Sequence, residues 1–130
     1  MKNSEKTFGL DVPYAAVKEF HKAFGHPVEE APTAMDTKRA RARIAWMQEE
    51  IMEFAMAAAA GDLAEEADAM IDLIYFALGT LVEMGVRPQP LFDIVQNANM
   101  SKLWPDGKPH YRTDGKIQKP AAWEDPYHKL

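Results

Sequence analysis

The sequence predicts an all-α fold, and three observations carry that prediction. Apolar residues recur at helical spacing in four successive stretches. Glycines and prolines fall where those stretches should stop. The central break, Gly61-Asp62, is too short for anything but an antiparallel helix hairpin. With 130 residues the chain can bury one real core but not two. We therefore expect a single domain over 1–130: four main helices, a poorly ordered arm at 1–10 and an irregular tail at 104–130.

Asp11 can N-cap the first helix, with Val12 or Pro13 in a first turn where proline gives up no needed hydrogen bond. Val17, Phe20 and Phe24 follow as one apolar stripe, and Gly25 with His26-Pro27 ends the helix. Residues 25–36 read as a loop long enough to act as a mobile cover. Asp36 caps the second helix, which runs to about Ala60 on a core stripe of Ile44, Met47, Ile51, Phe54 and Ala55. Lys38, Arg39, Arg41 and Arg43 crowd its first turns, where the helix dipole disfavours cations. Lys38 and Arg41 read as solvated surface. Arg39 and Arg43 share the angular strip of Trp46, Glu50 and Glu53, which makes them site candidates.

Asp62 opens the third helix, with Glu65 at capping-box spacing, and Gly85 closes it after Met84. This helix is apolar nearly all round apart from Glu65, Glu66, Asp68, Asp72, Thr80 and Glu83. Such a helix is buried on most sides, in a bundle or a subunit interface, so a homodimer or homotetramer is expected. Val86-Arg87-Pro88-Gln89-Pro90 turns into a short fourth helix carrying Leu91, Phe92, Ile94, Val95 and Ala98. Beyond Leu103, Asp106-Gly107-Lys108 and Asp114-Gly115-Lys116 are turn sequences, with Tyr111 or Ile117 in short extended segments. Residues 121–130 read as an extended tail.

Composition narrows the function. A net charge of −5 argues against nonspecific binding to a nucleic acid polymer or an anionic membrane. The absence of cysteine excludes a disulfide framework and a thiolate zinc site, and suits a reducing cytosol. Residues Met1 to Lys6 lack the apolar run of a signal peptide, and the apolar segment Leu73 to Val82 is too short to span a bilayer. A cytoplasmic protein is expected.

The chemistry lies in the central hairpin. On an ideal helix Trp46, Glu49, Glu50 and Glu53 fall within about a quarter turn, and Glu50 and Glu53 at i, i+3 can share one ligand. On the next helix Glu65, Asp68 and Asp72 lie within a strip of roughly 60°. Ala69 and Gly79 leave room beside them. Like charges at these spacings repel, and burial raises the cost, so something must compensate. Solvated surface is an adequate account of Glu49 and Glu66. It is a poor one for Asp68 and Asp72, low-propensity residues in the middle of an otherwise apolar helix. Ion pairing with Arg39 and Arg43 is one compensation. A hard divalent cation, Mg²⁺ or Mn²⁺, is the sharper one, because all-oxygen donors without His or Cys suit it. A di-iron centre would want Glu-x-x-His pairs, and none of His21, His26, His110 or His128 follows a glutamate by three residues.

These residues carry a resemblance. The chain resembles the all-α nucleoside triphosphate pyrophosphohydrolase superfamily, which includes MazG-like proteins, dimeric dUTPases and phosphoribosyl-ATP pyrophosphohydrolase. That family carries Glu-x-x-Glu on one helix and Glu-x-x-Asp on the next. Glu50-Ile51-Met52-Glu53, preceded by Glu49, matches the first half. In the second half Glu65-Glu66-Ala67-Asp68 is a literal match, while Asp72-Leu73-Ile74-Tyr75 resembles the family's Asp-Leu-Leu-Tyr segment. On that second alignment Ala69 takes the glutamate position and Asp68 substitutes from one residue away. Asn99-Met100-Ser101-Lys102-Leu103 and the two Asp-Gly-Lys turns resemble a phosphoribosyl-ATP-pyrophosphohydrolase-like subgroup, so the likeness spans roughly Arg39 to Pro120.

The resemblance implies a four-helix MazG-like bundle, assembled as an oligomer. It implies Mg²⁺-dependent cleavage of a nucleoside triphosphate between the α and β phosphates, giving a monophosphate and pyrophosphate, in the house-cleaning of noncanonical nucleotides. Glu50, Glu53, Glu65, Asp68 and Asp72 would hold metal, and Glu49 or Glu50 would take the proton of the attacking water. Arg39, Lys102, Lys116 and Lys119 would hold phosphate oxygens. Asn99 would orient a phosphate, sugar or base, and Trp46 or Tyr75 would stack on a base. The alternatives are phosphoribosyl-ATP as sole substrate, or a non-catalytic helical oligomer with a structural cation.

Overall fold

A computed structural model describes residues 9–130, so residues 1–8 of the expected arm lie outside the described residues. Four helices appear in the expected order: α1 (Asp11–Phe24), α2 (Thr37–Ala60), α3 (Leu63–Met84) and α4 (Pro88–Met100). The chain forms two compact units, one ending at Pro88 and the other spanning Gln89–Leu130.

In the first unit, α2 and α3 form the hairpin that Gly61-Asp62 dictates. Gly61 sits at φ +68°, a left-handed conformation that costs glycine nothing, and accepts the end of α2. The Asp36 carboxylate accepts from the Arg39 backbone N–H, and that of Asp62 from the Glu65 N–H, so both starts are capped as expected. Packed along α3, α1 runs antiparallel to it. Tyr14 and Val17 meet Leu78 and Val82 in the core, with Phe20 edge-on to Tyr75 and Asp11 reaching Arg87 at 2.7 Å.

Asp11 is therefore not the cap of α1. Leu10 holds that position without a side-chain bond, and Asp11 is the first helical residue, buried against Arg87. The buried strip of α1 is Tyr14, Val17 and His21, whereas Phe20 and Phe24 are 38% and 68% exposed. On α2 the expected core stripe is also displaced. The buried positions are Arg43, Glu50 and Ala57, seven residues apart, while Ile44 and Ile51 are half exposed. The cause is α3, which presents Thr80, Glu83 and the Phe76 carbonyl to α2 and so draws in polar partners.

Length explains the exposure on α3. At about 1.5 Å per residue α1 is roughly two thirds as long as α3 and covers only its C-terminal half. Leu63, Ile71 and Ile74, in the other half, remain exposed.

The 25–36 loop is stitched down rather than free. Glu29 and Thr33 donate their backbone N–H groups to the carbonyls of Val82 and Met84 at the end of α3. Gly85, at φ +67°, permits this because a Cβ there would run into the Ala31 carbonyl.

The second unit holds most of α4 and a small hairpin, β1 (His110–Tyr111) paired antiparallel with β2 (Ile117–Gln118). Both expected extended segments thus exist and pair across the Asp114-Gly115 turn. Trp104 stacks on His110 at 4.2 Å and donates its indole N–H to the Gln118 carbonyl, fastening the hairpin to the residues that follow α4. Residues 126–129 form a 3-10 turn rather than continuing an extended tail. Asp125 caps it by accepting from the Tyr127 N–H, and Pro126 opens it with a preset φ.

Candidate active site

Glu50 is the centre of the acidic constellation. Its position on the α3-facing strip of α2 buries it, and its Oε1 is fully enclosed without a hydrogen-bond partner among the described residues. Burial, and then the negative charges of Glu53, Asp72, Asp68 and Glu49, push its carboxyl above the usual carboxylate range. Four of the expected acids thus act on Glu50, two from its own helix and two from across the hairpin. Asp72 is half-buried, and Glu49, Glu53 and Asp68 are exposed. Glu65 is not among the groups acting on Glu50; it is exposed, and its backbone N–H serves the cap of α3.

Among the described residues, Arg39 and Arg43 do not pair with these acids. Arg39 makes a two-pronged bond to Glu83, with Nε and Nη2 each 2.8 Å from a carboxylate oxygen. Arg43 donates to the same carboxylate at 2.8 Å, to Thr80 Oγ1 at 3.1 Å and to the Phe76 carbonyl at 2.9 Å. Burial pushes Glu83 upward, yet the Arg39 hydrogen bond and the Arg43 and Arg39 charges outweigh it and leave its carboxyl below the usual range. The room at Gly79 is also spent here. A Cβ on Gly79 would come within 2.5 Å of Arg43 Nη2 and 2.8 Å of His21 Nε2.

Between these groups and the acids lies a cavity of about 470 Å³, lined by Phe20, His21, His26, Arg43, Trp46, Glu50, Asp72, Tyr75 and Phe76. That volume falls in the range of small-molecule sites. Trp46 stacks near Phe76 at 6.1 Å, and the Arg39 and Arg43 guanidiniums lie 5.2 and 5.6 Å from its ring centre. His21 is 3% exposed, and its Nδ1 lies 3.0 Å from the Pro27 carbonyl. Burial pushes it below the ordinary histidine value, which the Pro27 bond and Glu83 only partly offset.

The remaining expected site residues belong to the second unit. Lys119 and Lys102 lie 4.5 and 5.6 Å from the Trp123 ring centre, and Trp123 is anchored by its indole N–H to the Ala98 carbonyl. Lys116 sits in the hairpin turn, its backbone N–H bonded to Asp114. Asn99 is exposed.

Sequence reasoning missed Phe20, His21, His26, Phe76 and Glu83. A signal existed for two of them. Asp72, Phe76, Gly79 and Glu83 stand at i, i+4, i+7 and i+11, one strip of α3, opposite Arg39, Arg43 and Glu50 on α2. The histidines come from α1 and its loop, and no spacing within the hairpin points to them.

The all-oxygen donor set and the orphaned Glu50 Oε1 fit a hard divalent cation in kind. No three His, Asp or Glu side chains among the described residues already converge on one point.

The comparisons place this fold in a class of hydrolases acting on nucleotides. Residues 17–99 match the family model of phosphoribosyl-ATP pyrophosphohydrolase, and the chain belongs to that family. A crystal structure from Exiguobacterium sp. 255-15, provisionally described as an NTP pyrophosphohydrolase, shares 33% identity over 90% of each chain with a TM-score of 0.52. No curated protein matches the chain. The MazG-like all-α fold expected from the sequence is thereby established. No single helix among the described residues is long and apolar enough to cross a membrane.

Proposed function

We propose that the chain is a Mg²⁺-dependent nucleoside triphosphate pyrophosphohydrolase that cleaves between the α and β phosphates. One observation carries this reading: Glu50, on the wall of a nucleotide-sized cavity and acted on by four further carboxylates, has a buried oxygen with no hydrogen-bond partner among the described residues. A site of that charge repels a triphosphate unless cations intervene. Glu50, Glu53, Asp68 and Asp72 would hold Mg²⁺, which supplies charge neutralisation and a more acidic bound water. Trp46, Tyr75, Phe20 and Phe76 offer faces on which a base stacks. Glu49, exposed and beside Glu50, accepts the proton of the attacking water. Arg43 lines the cavity wall, and the tie of Arg39 to Glu83 removes it as a free phosphate ligand.

Phosphoribosyl-ATP as the sole substrate is the second reading, favoured by the family model that matches residues 17–99. We further infer that a second copy of the chain covers the apolar residues exposed on α2 and α3.

Pyrophosphate release from a panel of NTPs, dNTPs and phosphoribosyl-ATP with Mg²⁺ or Mn²⁺ tests the proposal. The expected products are the monophosphate and pyrophosphate, never the diphosphate and phosphate. Turnover of phosphoribosyl-ATP alone selects the second reading. If nothing is cleaved, and Glu53→Gln and Asp72→Asn leave folding and metal binding unchanged, the acids have another purpose.

A further inference from the structure

The wall of the aromatic cavity contains a buried histidine whose tautomer is fixed by its hydrogen-bond partner. His21 Nδ1 lies 3.0 Å from the Pro27 carbonyl oxygen. A carbonyl oxygen only accepts, so Nδ1 carries the proton. In a neutral imidazole the other nitrogen is then a bare acceptor. That tautomer is held from both sides: the Pro27 carbonyl belongs to a loop whose next residues bond to the end of α3, and burial disfavours the charged ring. His21 Nε2 has no partner among the described residues, and it is not one of the fully enclosed orphan atoms, which are Asp11 Oδ1 and Glu50 Oε1. The ring packs against Gly79, where a Cβ would come within 2.8 Å of Nε2, and His21 lines the cavity. Of the neighbouring lining side chains, Phe20 and Phe76 offer ring faces and no acceptor, and His26 Nδ1 already accepts from Arg39 Nη2.

We propose that His21 Nε2 reads the base by accepting an N–H from its edge while the aromatic rings hold its faces. This inference rests on the nucleotide reading above. An acceptor in a buried wall rejects a base that presents no hydrogen there, because both groups would lose their water without gaining a partner. Selection thus comes from hydrogen-bond direction, which stacking on Trp46 or Tyr75 cannot provide, since every base has a π face.

The test pairs each parent nucleotide with a partner lacking one edge N–H. ATP is set against purine riboside triphosphate, CTP against 2-pyrimidinone riboside triphosphate, and UTP and GTP against their N3-methyl and N1-methyl derivatives. For the parent turned over fastest, loss of the N–H should lower kcat/KM by about tenfold or more in the wild type. In His21→Phe the same loss should cost about twofold or less, because the acceptor is already gone. An equal penalty in both proteins overturns the proposal, and so does a wild type indifferent to the deletion.

A second measurement needs no variant. Imidazole ¹⁵N shifts of the wild type should show His21 protonated at Nδ1 and bare at Nε2, and the Nε2 signal should move when a non-hydrolysable α,β-methylene triphosphate binds. A proton on Nε2, or an Nε2 signal unmoved by bound nucleotide, refutes it. If no nucleotide is cleaved or bound, the pyrophosphohydrolase reading itself fails. If nucleotides are cleaved without regard to the edge N–H, only the role of His21 fails.

Discussion

At the scale of single residues, two buried glutamates in the same hairpin face opposite fates. Glu83 is held by Arg39 and Arg43, and Glu50 Oε1 has no hydrogen-bond partner among the described residues. Their pH dependences are therefore opposite. Glu83 sits below its ordinary value, so its contribution to stability is present above the unfolded-state value and is lost as pH falls through its folded value. Buried neutral His21 adds a loss of the same sign, beginning as pH falls below the ordinary histidine range. Glu50 sits above its ordinary value, so stability is greatest while it is protonated and declines as pH rises through its folded value. Replacing Glu83 by Gln should cost on the order of 3 kcal/mol at neutral pH, because two guanidiniums are left without their counter-charge. Urea titrations from pH 4 to about 8 should show that cost shrinking toward the acid end. Replacing Glu50 by Gln should instead raise the Tm of the metal-free protein by about 2–5 °C while abolishing hydrolysis. Added Mg²⁺ should stabilise the wild type and stabilise Glu50→Gln less, which calorimetry with and without EDTA would read directly.

At the scale of elements, helix boundaries were legible because their signals are local. Asp36, Gly61, Asp62 and Gly85 act through bonds within a turn of themselves, and each sits where its chemistry demands. The facing of the helices was less legible. Apolar periodicity assigned Ile44 and Ile51 to the core, yet α2 buries Arg43 and Glu50 because its neighbour offers a carboxylate, a hydroxyl and a free carbonyl. That choice depends on α3, which is distant in sequence. Spacing singled out Glu50, Glu53, Asp68 and Asp72, and Trp46 and Tyr75 were named beside them; Phe20, His21 and His26 were not, because they approach from α1 and its loop. Gly79 tests this packing. Gly79→Ala would place a methyl group against Arg43 Nη2 and His21 Nε2, on two side chains held by the Phe76 and Pro27 carbonyls, and should destabilise the protein by about 1–3 kcal/mol. Glycine in mid-helix is intrinsically worse than alanine by roughly 1 kcal/mol. A stabilising Gly79→Ala would therefore mean that those two side chains move aside freely.

At the scale of the whole molecule, the imbalance between α1 and α3 becomes a statement about assembly. Leu63, Ile71 and Ile74 on α3, and Ile44, Ile51, Met52 and Met56 on α2, are each at least half exposed. Fully burying one such side chain is worth about 1.5–3 kcal/mol, so seven left in water are a standing incentive to associate. Of the hairpin's charges, Glu50 and Asp72 turn toward the cavity, and Arg39 and Arg43 toward Glu83. We expect the protein to be a dimer or tetramer at micromolar concentration, with a Tm that rises with protein concentration. Ile51→Glu, a charge in the middle of the exposed α2 stripe, should shift the assembly toward monomer by about tenfold to a hundredfold in Kd. Sedimentation equilibrium of the two proteins checks this. A wild type that stays monomeric at high concentration would mean that these residues serve no second copy. Hydrolysis by a dissociated Ile51→Glu would then show whether one chain's cavity is enough, because Glu50, Asp72 and the rings around them all come from the same chain.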